Sequence, residues 1–464
     1  MYIREVIEKQ LPANGETYDV IVAGGGPAGI GATLAASVNG SKTLLLESRA
    51  FFGGVAGVSN WMPINRLFIN GKSRGKIHDI FVNKLRSLGS DACRDGRESW
   101  FIGDDLYLNW DDSPAPEGGY DRMLDVDGLH VHPDYLRLAI LELLEEYGCH
   151  YMLLSPVTGA RVEDHRVTSV FCEGKYGYNT YSAKVFVDCT GDGDLAAVSG
   201  AQILPKGREK DGLLMPSTIS FVIANVDEEK LFKAQSEIGL GGFSEIFKSC
   251  APQGYATSFF YSFDRTTVPG MVSVNNSGQR DLGIIDTTNI RDVNVSMRAG
   301  LQVAMDFVKI AREKQVPGLE NCILARTAPE LGIRESRRIA GDYIMTYEDL
   351  LANREFEDIV ARRYGTIDSG GLGDDGDYRA GIKNGHAYPY RVMLPKGLEG
   401  LLVAGRCASL EHLAMATCKS MGNMMAIGHA AGTAASLAAT KNTTPRKVDV
   451  SEIQAILRND GVAL

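Results

Sequence analysis

Three glycines at GxGxxG spacing, Gly24, Gly26 and Gly29 in "VIVAGGGPAGIGA", act through what they lack. The first permits a tight turn, the second lets backbone approach a pyrophosphate, and the third lets a helix pack on a strand. Glu47 follows eighteen residues after Gly29, where a carboxylate can accept ribose hydroxyls. Other reactive groups lie far along the chain. His412, in "ASLEHLAMATCK", is either a proton carrier or an ordinary loop histidine, and its neighbour Glu411 is expected to be exposed. Lys419 either holds an anion or is a solvated charge. Arg334, Arg337 and Arg338 crowd into "RESRR". A guanidinium binds a carboxylate bidentately, which makes Arg334 a substrate-binding candidate. On a helix the same stretch would instead be salt-bridged, with Arg334 and Arg338 on one face and Glu335 paired to Arg338. Tyr390 and Arg391, between Pro389 and Pro395, read as mainly structural. Cys418 has no partner cysteine nearby, and Cys407 reads as a small buried residue.

The surrounding pattern supplies elements to position these groups. Val20 to Ala23 is an apolar strand, the alanine-rich run to about Asn39 a helix, and Thr43 to Leu46 a second strand. The helix points free N–H groups at the phosphates. Residues 72–90 place Ile77, Ile80, Phe81, Leu85 and Leu88 on one helical face. "HPDYLRLAILELLEEYGCH" is a helix with Pro133 in its first turn and Gly148 as its stop. Strands are expected at about 150–155, 157–163, 167–173 and 180–188, the last running into "KVFVDCTGDGDLAAVSGA". Residues 91–128 have no clear period. Residues 206–285 lack a βαβ rhythm and read as an antiparallel layer. A helix over roughly 290–314 would bury Met297, Leu301, Ala304, Val308 and Ala311. "GLLVAGRCAS" is one more buried strand, and "MGNMMAIGHAAGTAASLAA" a closing helix with a small-residue face.

Bulk properties narrow the partners. The 464 residues are 44% hydrophobic with a net charge of −10, which argues against nucleic acid or an anionic membrane. The N-terminus has no long apolar core, and no stretch reads as a membrane span, so a cytoplasmic protein is expected. None of the eight cysteines forms a CxxC pair, and the acidic loop 368–377 lacks EF-hand spacing, so no metal is expected.

The N-terminal GxGxxG with Glu47 and Gly53-Gly54, the central "VDCTGDGD" and the C-terminal "LLVAGR" before a small-residue helix, in that order, resemble FAD-binding flavoproteins of the glutathione-reductase and fumarate-reductase superfamily. "LGIRESRRIAGDY", "AYPYRVMLPKGLEGLLVAGRCAS" and "GHAAGTAA" are similar to the FAD-dependent oxidoreductase family that includes relatives of the heterodisulfide reductase flavin subunit. The resemblance spans roughly residues 18–440. It implies an α/β fold with a discontinuous Rossmann-like FAD-binding domain (15–71, 130–205 and 396–440). An antiparallel β plus helical substrate or cap domain (72–129 and 206–395) and a C-terminal tail (441–464) would complete it.

The same resemblance assigns FAD contacts. Gly24, Gly26, Pro27, Ala28 and Gly29 would cradle the pyrophosphate, and Glu47 would hold the ribose. Ser48, Arg49, Gly53 and Gly54 would line the nucleotide, and Val157 would meet adenine through its backbone. Thr190, Gly191 and Asp192 would close over the AMP half, while Gly405 and Arg406 would reach the ribityl or pyrophosphate region. Gly422, Asn423 and Met424 would start the last helix, facing the pyrimidine edge of the isoalloxazine. A helix N-terminus there stabilises charge on reduced flavin. In "CKSMGN" this chain departs from its relatives: Lys419 stands at an arginine position and Gly422 at a proline position. Lysine keeps the charge but not the planar fork.

The expected function is hydride transfer between a small polar metabolite, an organic acid or sugar derivative, and flavin N5, with His412 carrying the proton and Arg334 and Lys419 binding substrate. No second GxGxxG unit for a nicotinamide is present, so electrons are expected to pass through the substrate site, to a redox partner protein or quinone, to oxygen, or to a transiently bound nicotinamide. An electron-transfer subunit and a protein with structural FAD are the alternatives. A homo-oligomer is left open.

Overall fold

Val20, Ile21, Val22 and Ala23 are fully buried, which is why β1 (Thr17–Ala23) reads as an uninterrupted apolar run: both its faces are covered. The structure, a computed structural model, describes residues 2–59, 63–69, 72–95, 128–279, 282–365, 385–417 and 419–464. Cys418 and the acidic loop 368–377 lie outside the described residues, as does most of the 91–128 stretch.

After β1 come α1 (Pro27–Val38) and β2 (Thr43–Leu46), then α2 (Lys76–Ser87) and α3 (Pro133–Glu146). β3 (His150–Met152), β4 (Val157–Glu163), β5 (Arg166–Gly174) and β6 (Gly177–Asp188) follow. β1 pairs in parallel with β2 and with β6, and β2 with β3, so that Val22 lies between Leu45 and Val187. The C-terminal half of β6 also pairs in parallel with a late strand, Leu401–Val403. Its N-terminal half turns antiparallel to β5, and β5 to β4. A single long strand thus belongs to both the parallel sheet and a β-meander. The expected strand at 150–155 is shorter, ending at Met152, and the one expected at 180–188 begins three residues earlier.

Residues 221–327 form the antiparallel layer. β7 (Phe221–Ala224), α4 (Glu228–Lys248), β8 (Tyr261–Arg265), β9 (Val272–Asn276), α5 (Ile290–Glu313) and β10 (Ile323–Thr327) make a sheet in the order β8-β9-β7-β10. It has its own core, in which Phe247 stacks on Phe307 with centroids 4.3 Å apart. The α4 helix was not foreseen, and "GLGGF" lies within it, kinked at Gly239. The expected face of α5 is buried at Ala304, Val308 and Ala311, with Met297 packed against a small third cluster, but not at Leu301. Leu301 is exposed, while Val303, Ala304, Phe307, Val308, Ile310 and Ala311 are buried.

The chain returns through β11 (Leu401–Val403) to α6 (Met421–Thr440), which is buried almost all round as a core helix must be. Small residues let it lie against α1. A Cβ on Gly31 would come within 2.5 Å of the Met425 carbonyl oxygen, and one on Gly432 within 2.1 Å of the Ala32 carbonyl oxygen. Ile77, Phe81, Val82 and Leu85 of α2, together with Ile453 and Leu457 of the C-terminal helix Val450–Asn459, join this first core. Among the described residues no helix is long and apolar enough to cross a membrane, and no cluster of metal-ligating side chains occurs.

Candidate functional site

The glycine turn separates residues the fold needs from one it does not. A Cβ on Gly24 (φ +95°) would lie 2.5 Å from the Cys189 carbonyl oxygen, and one on Gly29 only 1.7 Å from the Gly24 carbonyl oxygen. At Gly26 an added Cβ meets nothing nearer than the Gly54 Cα at 3.8 Å. Packing therefore demands the first and third glycines, while the second keeps open a face of the turn where backbone can meet a phosphate. Gly53 closes the other wall, its N–H donating to the Gly25 carbonyl at 2.8 Å. Pro27 and Ala28 begin α1, whose N-cap Gly26 has no side-chain partner. This cradle fits a dinucleotide pyrophosphate.

Glu47 is buried, and its carboxylate orders the loop around it. Oε2 accepts the Gly25 N–H at 2.7 Å, while Oε1 accepts the Arg49 N–H at 2.8 Å and the Ser48 hydroxyl at 3.0 Å. Two carboxylate oxygens offer about four acceptor positions. One therefore remains on Oε2 for a ribose hydroxyl, and a second requires Ser48 to turn away. Arg49 extends instead to Glu330, next to the RESRR stretch. Val157 opens β4 two residues beyond Ser155, whose N–H donates to the Glu47 carbonyl at 2.7 Å.

The central motif is built around a residue outside the expected set. Asp188, fully buried at the end of β6, accepts the Thr190 N–H and hydroxyl through Oδ1 and the Ala196 N–H through Oδ2. Burial pushes its carboxyl up, against those hydrogen bonds. Thr190 Oγ1 in turn accepts the Asp194 N–H at 2.8 Å. Gly191 (φ +80°) leaves room for Arg406: a Cβ there would sit 2.9 Å from Nη2. Arg406 holds Asp192 at 2.7 Å and Ser336 Oγ at 3.1 Å, and a Cβ on Gly405 would be 3.3 Å from that of Ala28. Burial opposes ionisation of Asp192, but Arg406, Ser336 and Arg337 outweigh it and keep its carboxyl below the ordinary value. Asp194, beside two other aspartates and desolvated, is pushed up to about 6. The three sequence motifs thus converge on one end of the sheet.

The RESRR stretch is not a helix. It runs extended between bridges at Gly332 and Ile339, because its side chains find partners on several elements rather than on its own next turn. Arg334 donates to the Pro216 and Asn276 carbonyls, both at 3.0 Å, and reaches Thr218. Its fork therefore engages the antiparallel layer. Glu335 faces His412, Ser336 faces Asp192, and Arg337 holds the Asp192 carbonyl and the Asp194 carboxylate. Arg338 donates to the Pro205, Gly207 and Leu410 carbonyls. The expected Glu335–Arg338 approach exists, at 3.8 Å, without a helix.

His412 is fully buried. Its Nδ1 is 2.9 Å from Glu335 Oε1, its backbone N–H donates to Glu209 at 2.9 Å, and its Nε2 is buried without a hydrogen-bond partner. Glu411 is half-buried rather than exposed and accepts the Tyr347 N–H at 3.0 Å. Tyr390 donates to the Pro445 carbonyl, and Arg391 pairs with Asp358.

Gly422 starts α6 pressed against residue 66, where a Cβ would come within 2.2 Å of the carbonyl oxygen. The Asn423 side chain points inward, accepting from Arg74 at 2.8 Å and pairing with both backbone groups of Tyr364. Met424 packs on the first core, and Lys419 is half-buried just before the helix. The buried guanidiniums of Arg66 and Arg74 belong to the segments contacting this helix start. Sequence reading passed over them, since nothing local marks them.

The solved structures to which the chain is similar include three of different kinds. A geranylgeranyl bacteriochlorophyll reductase-like protein from Thermoplasma acidophilum is 14% identical, with 96% of this chain and 84% of that one covered and a TM-score of 0.46. The flavin-dependent brominase Bmp2 is 15% identical, with 96% and 83% covered and a TM-score of 0.48. The p-nitrophenol 4-monooxygenase PnpA from Pseudomonas putida is 12% identical, with 97% and 82% covered and a TM-score of 0.44. Residues 19–457 match the family described as FAD dependent oxidoreductase. That match covers nearly the whole chain and agrees with the cradle geometry: the protein belongs to the FAD-dependent oxidoreductase family, with FAD as its cofactor.

Proposed function

We propose that this oxidoreductase acts on a small polar metabolite carrying a hydroxyl, an organic acid or sugar derivative, with His412 exchanging the substrate proton. The observation that carries this reading is the His412 Nε2 atom, buried without a partner while Nδ1 rests on a carboxylate. Leaving a buried polar atom unmet costs about 1–3 kcal/mol. A substrate O–H supplies the missing donor. As its carbon loses a hydride and the C–O bond becomes a carbonyl, the O–H proton passes to Nε2; the reverse reaction returns it. Bound FAD supplies the two-electron acceptor or donor. Because Nε2 is sealed from solvent, its cover must part for substrate to enter.

The test is anaerobic visible spectroscopy of the FAD-loaded protein with a panel of hydroxy acids and sugars, repeated with His412→Asn. One compound should bleach the flavin, and the variant should retain FAD while bleaching at least roughly 100-fold more slowly. Bleaching at the wild-type rate in the variant removes His412 from the reaction.

A further inference from the structure

We infer that Glu335 is a positioning residue that selects the Nδ1–H tautomer of His412, making Nε2 the nitrogen that exchanges a proton; this rests on the role proposed above for His412. The two side chains are completely buried, with Nδ1 and Oε1 2.9 Å apart. A carboxylate only accepts, so the neutral ring must donate from Nδ1. The opposite tautomer would set a lone pair against a carboxylate oxygen and leave a buried Nε2–H without an acceptor.

Glu335 is not free to turn away. Its Oε2 accepts the Met215 N–H at 3.0 Å, and its Oε1 lies 3.8 Å from Arg338 Nε. Arg338 is itself held by three backbone carbonyls and reaches Glu209 at 3.3 Å. Glu209 accepts the backbone N–H of His412. These contacts close a circuit from the His412 backbone through Glu209, Arg338 and Glu335 to the His412 ring. The circuit thus fixes both the backbone and the ring of His412, so that Nε2 keeps one orientation. The Glu411 carboxylate accepts the Tyr347 N–H and lies within charge range of Glu209 and Arg338. On the far end of the short helix that His412 begins, Arg363 donates to the Ala414 and Thr417 carbonyls.

Glu335→Gln gives this inference a sharp test. A glutamine has one acceptor oxygen for two N–H groups. The Met215 N–H can only donate and takes that oxygen, so the amide donates to Nδ1 and forces hydrogen onto Nε2. The tautomer is read in ¹⁵N-histidine-labelled, FAD-loaded protein by long-range ¹H–¹⁵N NMR, with His412 assigned by its loss in His412→Asn. The expected results are an Nδ1–H ring in the wild type and an Nε2–H ring in Glu335→Gln. The variant should also bleach with substrate roughly 100-fold more slowly, with a displaced pH profile, while its melting temperature and 450 nm absorbance show retained fold and FAD. An Nε2–H ring in the wild type overturns the inference even if Glu335→Gln fails to fold. So does a folded Glu335→Gln that keeps the Nδ1–H ring. An unchanged bleaching rate in His412→Asn overturns the proton-carrier role instead, and the tautomer measurement separates the two failures.

Discussion

Arg406 donates through Nη2 to the Asp192 carboxylate at 2.7 Å, across 214 residues of sequence, and through Nη1 to Ser336 Oγ at 3.1 Å. Ser336 donates to the same carboxylate. One planar fork thus fastens the turn after β6, the turn after β11 and the extended RESRR strap. The strap's preceding residues continue the pattern, Arg334 toward the antiparallel layer and Glu335 toward His412. The nucleotide end of the sheet and the proposed proton carrier are therefore parts of one connected scaffold.

Replacing that fork with a point charge tests how much geometry matters. Arg406→Lys should preserve the attraction to Asp192 but lose the simultaneous contact to Ser336. The expected cost is about 1–3 kcal/mol, read as FAD binding weakened roughly tenfold or more in fluorescence titration. Unchanged affinity would mean the fork orders the protein without supporting the cofactor.

The turn glycines should separate folding from binding. Gly29→Ala places a methyl 1.7 Å from the Gly24 carbonyl oxygen, so it should abolish stable folding. Gly26→Ala meets nothing closer than 3.8 Å within the protein, so its melting temperature without FAD should match the wild type. Its methyl should nevertheless keep the pyrophosphate away. Circular dichroism melts and 450 nm absorbance after gel filtration read the two properties independently. A Gly26→Ala protein that retains FAD would exclude the open face as the phosphate site.

The βαβ unit was legible because each of its residues acts locally. A glycine turn, an apolar strand and a terminal acid need only their neighbours to declare their roles. The expected burial stripe on α5 held at Ala304, Val308 and Ala311 but not at Leu301, and it missed Phe307, which stacks on Phe247. The error at RESRR was larger. Helical spacing paired Glu335 with Arg338, but both answer to partners more than seventy residues away, His412 and the Leu410 carbonyl. Asp188 was visible as the first acid of "VDCTGDGD", although its capping of Thr190 and Ala196 emerges only when the turn is folded. Glu209 carried no local signal, since its connection to His412 spans 203 residues.

Asp194 gives the site a pH signature of known sign. Desolvation and the neighbouring Asp192 and Asp188 raise its carboxyl from an ordinary 3.8 to about 6 in the folded protein. Below the ordinary value both folded and unfolded chains hold the proton, and this group's relative stabilisation is fully present. It is lost as pH rises through about 6, because the folded state resists ionisation more than the unfolded one. Asp194→Asn should therefore gain in melting temperature over the wild type between pH 4 and pH 7 and plateau above. The variant also loses the ion pair to Arg337. A difference that shrinks with pH would show that this pair dominates and the desolvation argument fails.

Gly428→Ala sets a helix-propensity gain against a steric cost. Alanine in a helix interior is favoured over glycine by about 1 kcal/mol. At Gly428, however, the new Cβ would lie 2.0 Å from the Ala28 carbonyl oxygen, in the first turn of α1. Overpacking of this kind costs about 1–3 kcal/mol or more, so the melting temperature should fall despite the better propensity. The strain acts on the turn proposed to hold the pyrophosphate, so FAD affinity should fall with it. Gly241→Ala in α4 is the control, since its Cβ meets nothing within 4 Å on an exposed position. That variant should be as stable as the wild type or slightly more so. If Gly428→Ala instead raises the melting temperature and leaves FAD binding intact, α1 and α6 have room to separate, and the close approach of the two helices does not hold the cradle in place.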